Sequence, residues 1–316
     1  MALDVIAGNN YFPTNALTAF NLQHKALWAS GPSHFDGSDW TTAGVEQVLS
    51  SFYSAPTTVA GARDVIEKAI DLFDTKHVLR HSSGAEIYAH KAAGTPIAGT
   101  VGATGAELEA AMVAAWGPRC LELLTSLKNH MTNVGGTWHT TADTFNSVGT
   151  LPSAIDTKAL LCSWTIILRS VYEAHRDYSA GVVHSSGDST NTVAAAPPDT
   201  VDDWDAILAV LVEVADELED HVEDAAYHAN AMSVTYTVAS MPSAVSTAFT
   251  RANAYKTAHG SHLADTALHD TADSTNTLSA ADATTCATYI ALAAEIFTDQ
   301  TAHFRNAPTS PALRAV

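Results

Sequence analysis

The sequence predicts a mainly α protein made of tandem helical repeats, about six units of 38–57 residues joined by long ordered loops with room for short β pairs. Three observations predict it. Thirteen of the fifteen histidines follow one rule, a helix-ending His and then a second His seven to ten residues on. The first members are His24, His81, His130, His175, His221 and His259, and the second members are His34, His90, His139, His184, His228 and His269, with His303 closing the series. Three loops also share a longer motif, H-x3-D-x2-N-[ST]-[VL], running from His139 to Val148, His184 to Val193 and His269 to Leu278. Between the loops lie apolar runs whose large residues recur at three and four, the helical period.

Each element follows from local chemistry. Leu108, Met112, Leu121, Leu124 and Leu127 make one apolar stripe, and Ile207, Leu208, Leu211, Val214, Ala215 and Leu218 make another. Start signals precede several runs: Thr104 with Glu107, Ser153 with Asp156, and Ser279 with Asp282 each place a hydroxyl three residues before an acid. The expected helices are 42–53, 57–80, 104–130, 153–176, 200–230, 242–259 and 280–304. Proline removes a ladder donor and clashes one turn back, so Gly117-Pro118 should kink or split the third. The intervening loops, about twenty residues each, contain β-prone pieces at 181–183 and 234–238. Loops this long that repeat the same residues usually have a job. The fifth unit departs, with His221 and His228 only seven apart and no Asp or Asn in the motif positions.

The organisation expected is an N-terminal arm at 1–23, one elongated repeat array at 24–303 and a C-terminal tail at 304–316. A net charge of −19 with 15 scattered Lys and Arg argues against direct nucleic-acid binding. No secretion signal is visible, and the longest apolar stretch, 159–168, falls far short of the ~20 residues of a membrane helix. Cys120, Cys162 and Cys286 lie in apolar helical segments without paired spacing, as buried reduced thiols do.

The histidines fit three roles, the last of them a proton switch near neutral pH. A His⁺ near a helix C-terminus complements the dipole and bonds the last carbonyls, while loop His, Asp and Asn tie down turns; this role needs the fewer assumptions. The second role is metal, since neutral imidazole and carboxylate suit a divalent first-row ion such as zinc. Its candidate ligands are His130, His139, Asp143, His175, His184, Asp188, His221, His228, His259, His269 and Asp273. The motif Asp and Asn residues read as Asx-turns, because the calcium-loop pattern is absent. In the acidic run 213–224, Glu217 and His221 share a face, but a solvated helix face explains the run better. No nucleophile elbow, P-loop, dinucleotide fingerprint or H-E-x2-H is present, so no catalytic residues are assigned and no enzyme is expected.

From His130 to His303 the chain resembles the Ala/Thr-rich histidine repeats, H-x8-H-x3-D-x2-N followed by an alanine-rich helix, of structural proteins of tailed bacteriophages. The resemblance implies a non-enzymatic virion component, made in the host cytoplasm and assembled in many copies as a capsid decoration, neck, collar or tail part. Its partners would be other copies of itself and other virion proteins, with neither nucleic acid nor membrane bound directly. The alternative is a metal-binding helical protein or metal-dependent enzyme using His, Asp and Glu ligands, built around Glu217, His221 and His228.

Overall fold

A computed structural model describes residues 49–74, 97, 102–132, 139, 142–178, 183–184, 187–228, 234–264 and 274–305. Among these residues a 3₁₀ turn at Leu49–Ser51 is followed by six α-helices: α1 Val59–Asp71, α2 Gly105–Thr132, α3 Lys158–Arg176, α4 Trp204–Glu223, α5 Ser243–Ala264 and α6 Cys286–Arg305. Among the described residues no strand forms, and 234–238 is irregular backbone. The arm at 1–23 lies outside the described residues, and α6 runs into the segment expected to be tail.

The helix starts show which local signals decide. Thr104 and Glu107 form the expected reciprocal cap: the Thr104 amide donates to the Glu107 carboxylate at 2.6 Å and the Glu107 amide to Thr104 Oγ1 at 3.3 Å. At α3 the cap is instead Thr157, whose hydroxyl accepts from the Leu160 amide, so the helix begins five residues later than Ser153 implied. At α6 the Thr285 hydroxyl accepts from the Thr288 amide at 3.2 Å, and a further cap comes from another helix. Asp205 in the first turn of α4 accepts from the amides of Cys286 and Ala287 at 2.8 and 2.7 Å. A carboxylate at that helix's positive end also favours its dipole.

Among the described residues the helices share one continuous core. The long α2 is central, packing against α1, α3, α4 and α5, and α6 packs against α1, α4 and α5. Trp116 of α2 meets Trp204 of α4 with ring centres 5.9 Å apart, and its indole N–H donates to the Ser240 carbonyl. Helix α2 is not split at Pro118. Gly117 has a packing reason to be glycine: a Cβ there would run into the Ile155 carbonyl oxygen. Backbone cannot retreat as a side chain can, so Gly117→Ala is expected to cost roughly 1–3 kcal/mol despite alanine's better helix propensity. Denaturant unfolding checks this; an alanine variant as stable as the parent would mean the 155 segment yields freely.

Because α2, α3 and α4 all touch one another, their C-terminal ends converge, and each end carries the first histidine of a repeat: His130, His175 and His221. No helix among the described residues is long and apolar enough to cross a membrane.

Candidate metal centre

The loop after each of these helices folds back over the helix end. In the first, the Asp143 amide donates to the Met131 carbonyl at 2.9 Å, and in the second the Asp188 amide donates to the Arg176 carbonyl at 3.2 Å. Each acceptor directly follows the helix-ending His, so both loops close in the same register and satisfy a C-terminal carbonyl. The fold-back brings His139, His184 and His228 beside His130, His175 and His221. All six rings are 0–4% exposed.

The six rings form an octahedron. Twelve ring pairs lie in contact, with centres 4.4–5.6 Å apart, and every ring touches four others. The pairs not in contact are His130 with His184, His139 with His221, and His175 with His228, the three opposite-corner pairs. One triangular face is the helix-end set, at 5.0, 5.3 and 5.6 Å. The other is the loop set, at 4.9, 5.2 and 5.3 Å. Links from one repeat to the next are alike too: His139 to His175 at 5.2 Å, His184 to His221 at 5.0 Å and His228 to His130 at 5.0 Å. The three repeats therefore close around a local pseudo-threefold axis.

The motif carboxylates hold the rings. Asp143 Oδ1 accepts from the amides of Phe145 and Asn146, an Asx-turn, and its Oδ2 accepts from Asn146 Nδ2 and, at 2.8 Å, from His175 Nδ1. Asp188 repeats this with Thr190, Asn191 and, at 2.8 Å, His221 Nδ1. The Asp of one repeat thus orients the helix-ending His of the next, which gives the spacing H-x3-D-x2-N its meaning. It also corrects the capping role expected for those histidines, since for His175 and His221 the Nδ1–H goes to a carboxylate rather than a last-turn carbonyl. His228 Nδ1 donates to the Asp224 carbonyl at 3.2 Å. With Nδ1 occupied, Nε2 is left facing inward on His175, His221 and His228, buried and without a hydrogen-bond partner. Nε2 of His139 and His184 point at each other, 3.2 Å apart.

Burial, with the positive charge neighbouring rings would carry added to it, lowers five of these imidazoles: His139 is pushed down to about 3, His184 to about 2 and His228 to about 4, and His130 and His175 are also lowered. Burial alone would raise the carboxyls of Asp143 and Asp188. Hydrogen bonds from His175 and Asn146 at the first, and from His221, Thr190 and Asn191 at the second, outweigh it and keep both ionised. A histidine whose Nδ1 is held by a carboxylate, as in His175 and His221, is oriented to offer Nε2 to a metal.

Two overlapping sets could hold a metal ion, His130 with His139, His184 and His228, and His130 with His175, His184 and His221. Within each set the ligand atoms lie within 4.8 Å of one another. Asp143 and Asp188 serve as orienting partners rather than ligands. His259 is buried elsewhere, stacked on Tyr255 at 5.6 Å and set against Phe73. His269 and Asp273 lie outside the described residues.

The acids of the run in α4 lie outside the cluster's ligand sets. In the acidic run, Asp216 and Asp220 are exposed, while Glu213 and Glu219 accept from loop amides at Ala194, Ala195 and Tyr236. Glu217 is only partly buried, its carboxyl raised by desolvation and by neighbouring acids. Missing from the sequence reading was Tyr172, which donates to the carbonyls of Asn191 and Glu217 and sets its ring edge-on to His221. An aromatic three residues before a repeat histidine was the available signal. The three thiols are buried and free, and burial pushes Cys120 up to about 12. No protein family, curated protein or solved structure matches the chain.

Proposed function

We propose that this chain is a non-enzymatic structural protein whose three central repeats are stapled together by a buried divalent metal ion, and that it serves as an assembled virion component. The observation that carries the staple is the enclosure of the cluster: six histidines at 0–4% exposure, with the nearby carboxylates spent on fixing rings. Structural metal sites are closed by protein ligands, whereas catalytic ones keep a position open to water or substrate. A buried ring nitrogen left unbonded costs about 1–3 kcal/mol, so the inward Nε2 atoms of His175, His221 and His228 together weigh against a typical stability of about 5–15 kcal/mol. An ion turns those lone pairs into bonds.

Charge supports the same reading. Two buried carboxylates, Asp143 and Asp188, face the cluster, and the third repeat carries no Asp between 229 and 238 to add another. Two negative charges balance one divalent cation, which spares the interior a net charge. The virion role rests on the histidine-repeat resemblance, and the many-copy contacts would be made by the repeated loops at 130–146, 175–191 and 259–276.

The test is elemental analysis of the purified chain, with thermal unfolding before and after chelation. An ion held at a thousandfold above its Kd contributes about 4 kcal/mol, so stripping it is expected to lower Tm by roughly 10 °C. A metal-free protein that melts unchanged in chelator would refute the staple. A staple on a chain that stays monomeric at high concentration and joins no particle would leave the metal reading and remove the assembly role.

A further inference from the structure

We infer that the cluster binds a single ion through all six histidines, as an octahedral N6 site for Fe²⁺, Co²⁺ or Ni²⁺ rather than a tetrahedral site for zinc; the inference rests on the metal-staple reading and specifies its chemistry. The argument is the arrangement of the rings. Six rings placed so that each touches four and opposes one enclose one centre, and a nitrogen of each of His139, His175, His221 and His228 lies within 4.8 Å of those of His130 and His184. With metal–nitrogen bonds of about 2.1 Å and radial rings, adjacent ring centres fall about 4.6 Å apart and adjacent nitrogens about 3.0 Å apart. The observed ring edges are 4.4–5.6 Å, and the His139–His184 nitrogen pair is 3.2 Å apart.

A tetrahedral ion could use only one of the two four-histidine sets. Choosing the first would leave His175 and His221 buried and unligated while Asp143 and Asp188 still orient them toward the centre; choosing the second would strand His139 and His228. Both sets contain His130 and His184, which are opposite corners of the octahedron. They are therefore the two halves of one six-ligand site sharing an axis. Structural zinc is almost always four-coordinate, whereas imidazole suits iron and nickel as well, and six coordination leaves no position for substrate or water.

Cobalt is the probe. The full chain is stripped by unfolding in chelator, refolded with Co²⁺, and compared with His184→Ala treated identically, so that the difference spectrum reports this cluster alone. Six-coordinate Co²⁺ gives weak pink visible bands and four-coordinate Co²⁺ an intense blue. The expected difference spectrum is weak, with one ion fewer in the variant, and His139→Gln and His175→Gln should each lower Co²⁺ affinity at least tenfold. An intense blue difference spectrum, or full affinity in either glutamine variant, overturns six-coordination while leaving the staple intact. Equal Co²⁺ content in the chain and in His184→Ala overturns the staple itself. If His184→Ala does not refold, the two glutamine variants and the spectrum of the unaltered chain still decide between six and four ligands.

Discussion

Replacing His184 with alanine is expected to release the ion and lower Tm by roughly 10 °C, the largest effect of any single substitution in the described loops. His184 belongs to both four-histidine sets, and its Nε2 lies 3.2 Å from that of His139. Its ring touches those of His139, His175, His221 and His228. Truncation therefore removes a ligand and leaves a gap where four rings met. The sign depends on the metal. In chelated protein the same change removes one ring of a crowded set beside the unpartnered Nε2 atoms of His175 and His221, so its cost should shrink to about 1 kcal/mol or less. Melting both proteins with and without chelator measures the contrast. A His184→Ala penalty of the same size in both conditions would mean that the ring serves packing alone.

Asp188→Asn should lower metal affinity by about 10–100-fold and destabilise the loaded protein by about 1–3 kcal/mol. Asp188 accepts from the Thr190 and Asn191 amides, the Thr190 hydroxyl, the Asn191 amide group and His221 Nδ1. Asparagine offers one acceptor oxygen, so its NH₂ must meet donors on one side or the other. The change also removes one of the two negative charges that balance the ion. Competition against a coloured chelator gives the affinity. Asp216→Asn, at an exposed acid of α4, is the control and should shift stability by no more than about 0.5 kcal/mol. If the two variants behaved alike, the carboxylate would not act through His221.

Residue identities at the site were legible in the sequence because the repeat wrote them down more than once. His130, His175 and His221 recur at intervals of 45 and 46 residues, and the loops after the first two carry Asp and Asn at fixed offsets. A reader can therefore name all six histidines and both carboxylates, along with the reciprocal cap of Thr104 and Glu107. What the sequence could not show was their meeting. The spacing within one unit makes no recognised ligand pattern, because the ligand set is divided among three units and closes only when α2, α3 and α4 pack on each other. The same limit hides the carboxylate at the start of α6, Asp205, more than eighty residues away in sequence. It also explains why the sequence leaves open whether the repeats stack linearly or close into a bundle. Repetition sets the local unit, whereas contacts of α1 with α6, through Gln300 to the Ala69 carbonyl and others, close the bundle.

The most direct test of the central claim is native mass spectrometry of the purified full chain beside its His184→Ala variant. The staple predicts a mass above that of the sequence by at least one divalent first-row ion, with one ion fewer in the variant. A chain that is folded, metal-free and indifferent to added Fe²⁺, Co²⁺, Ni²⁺ or Zn²⁺ would contradict it.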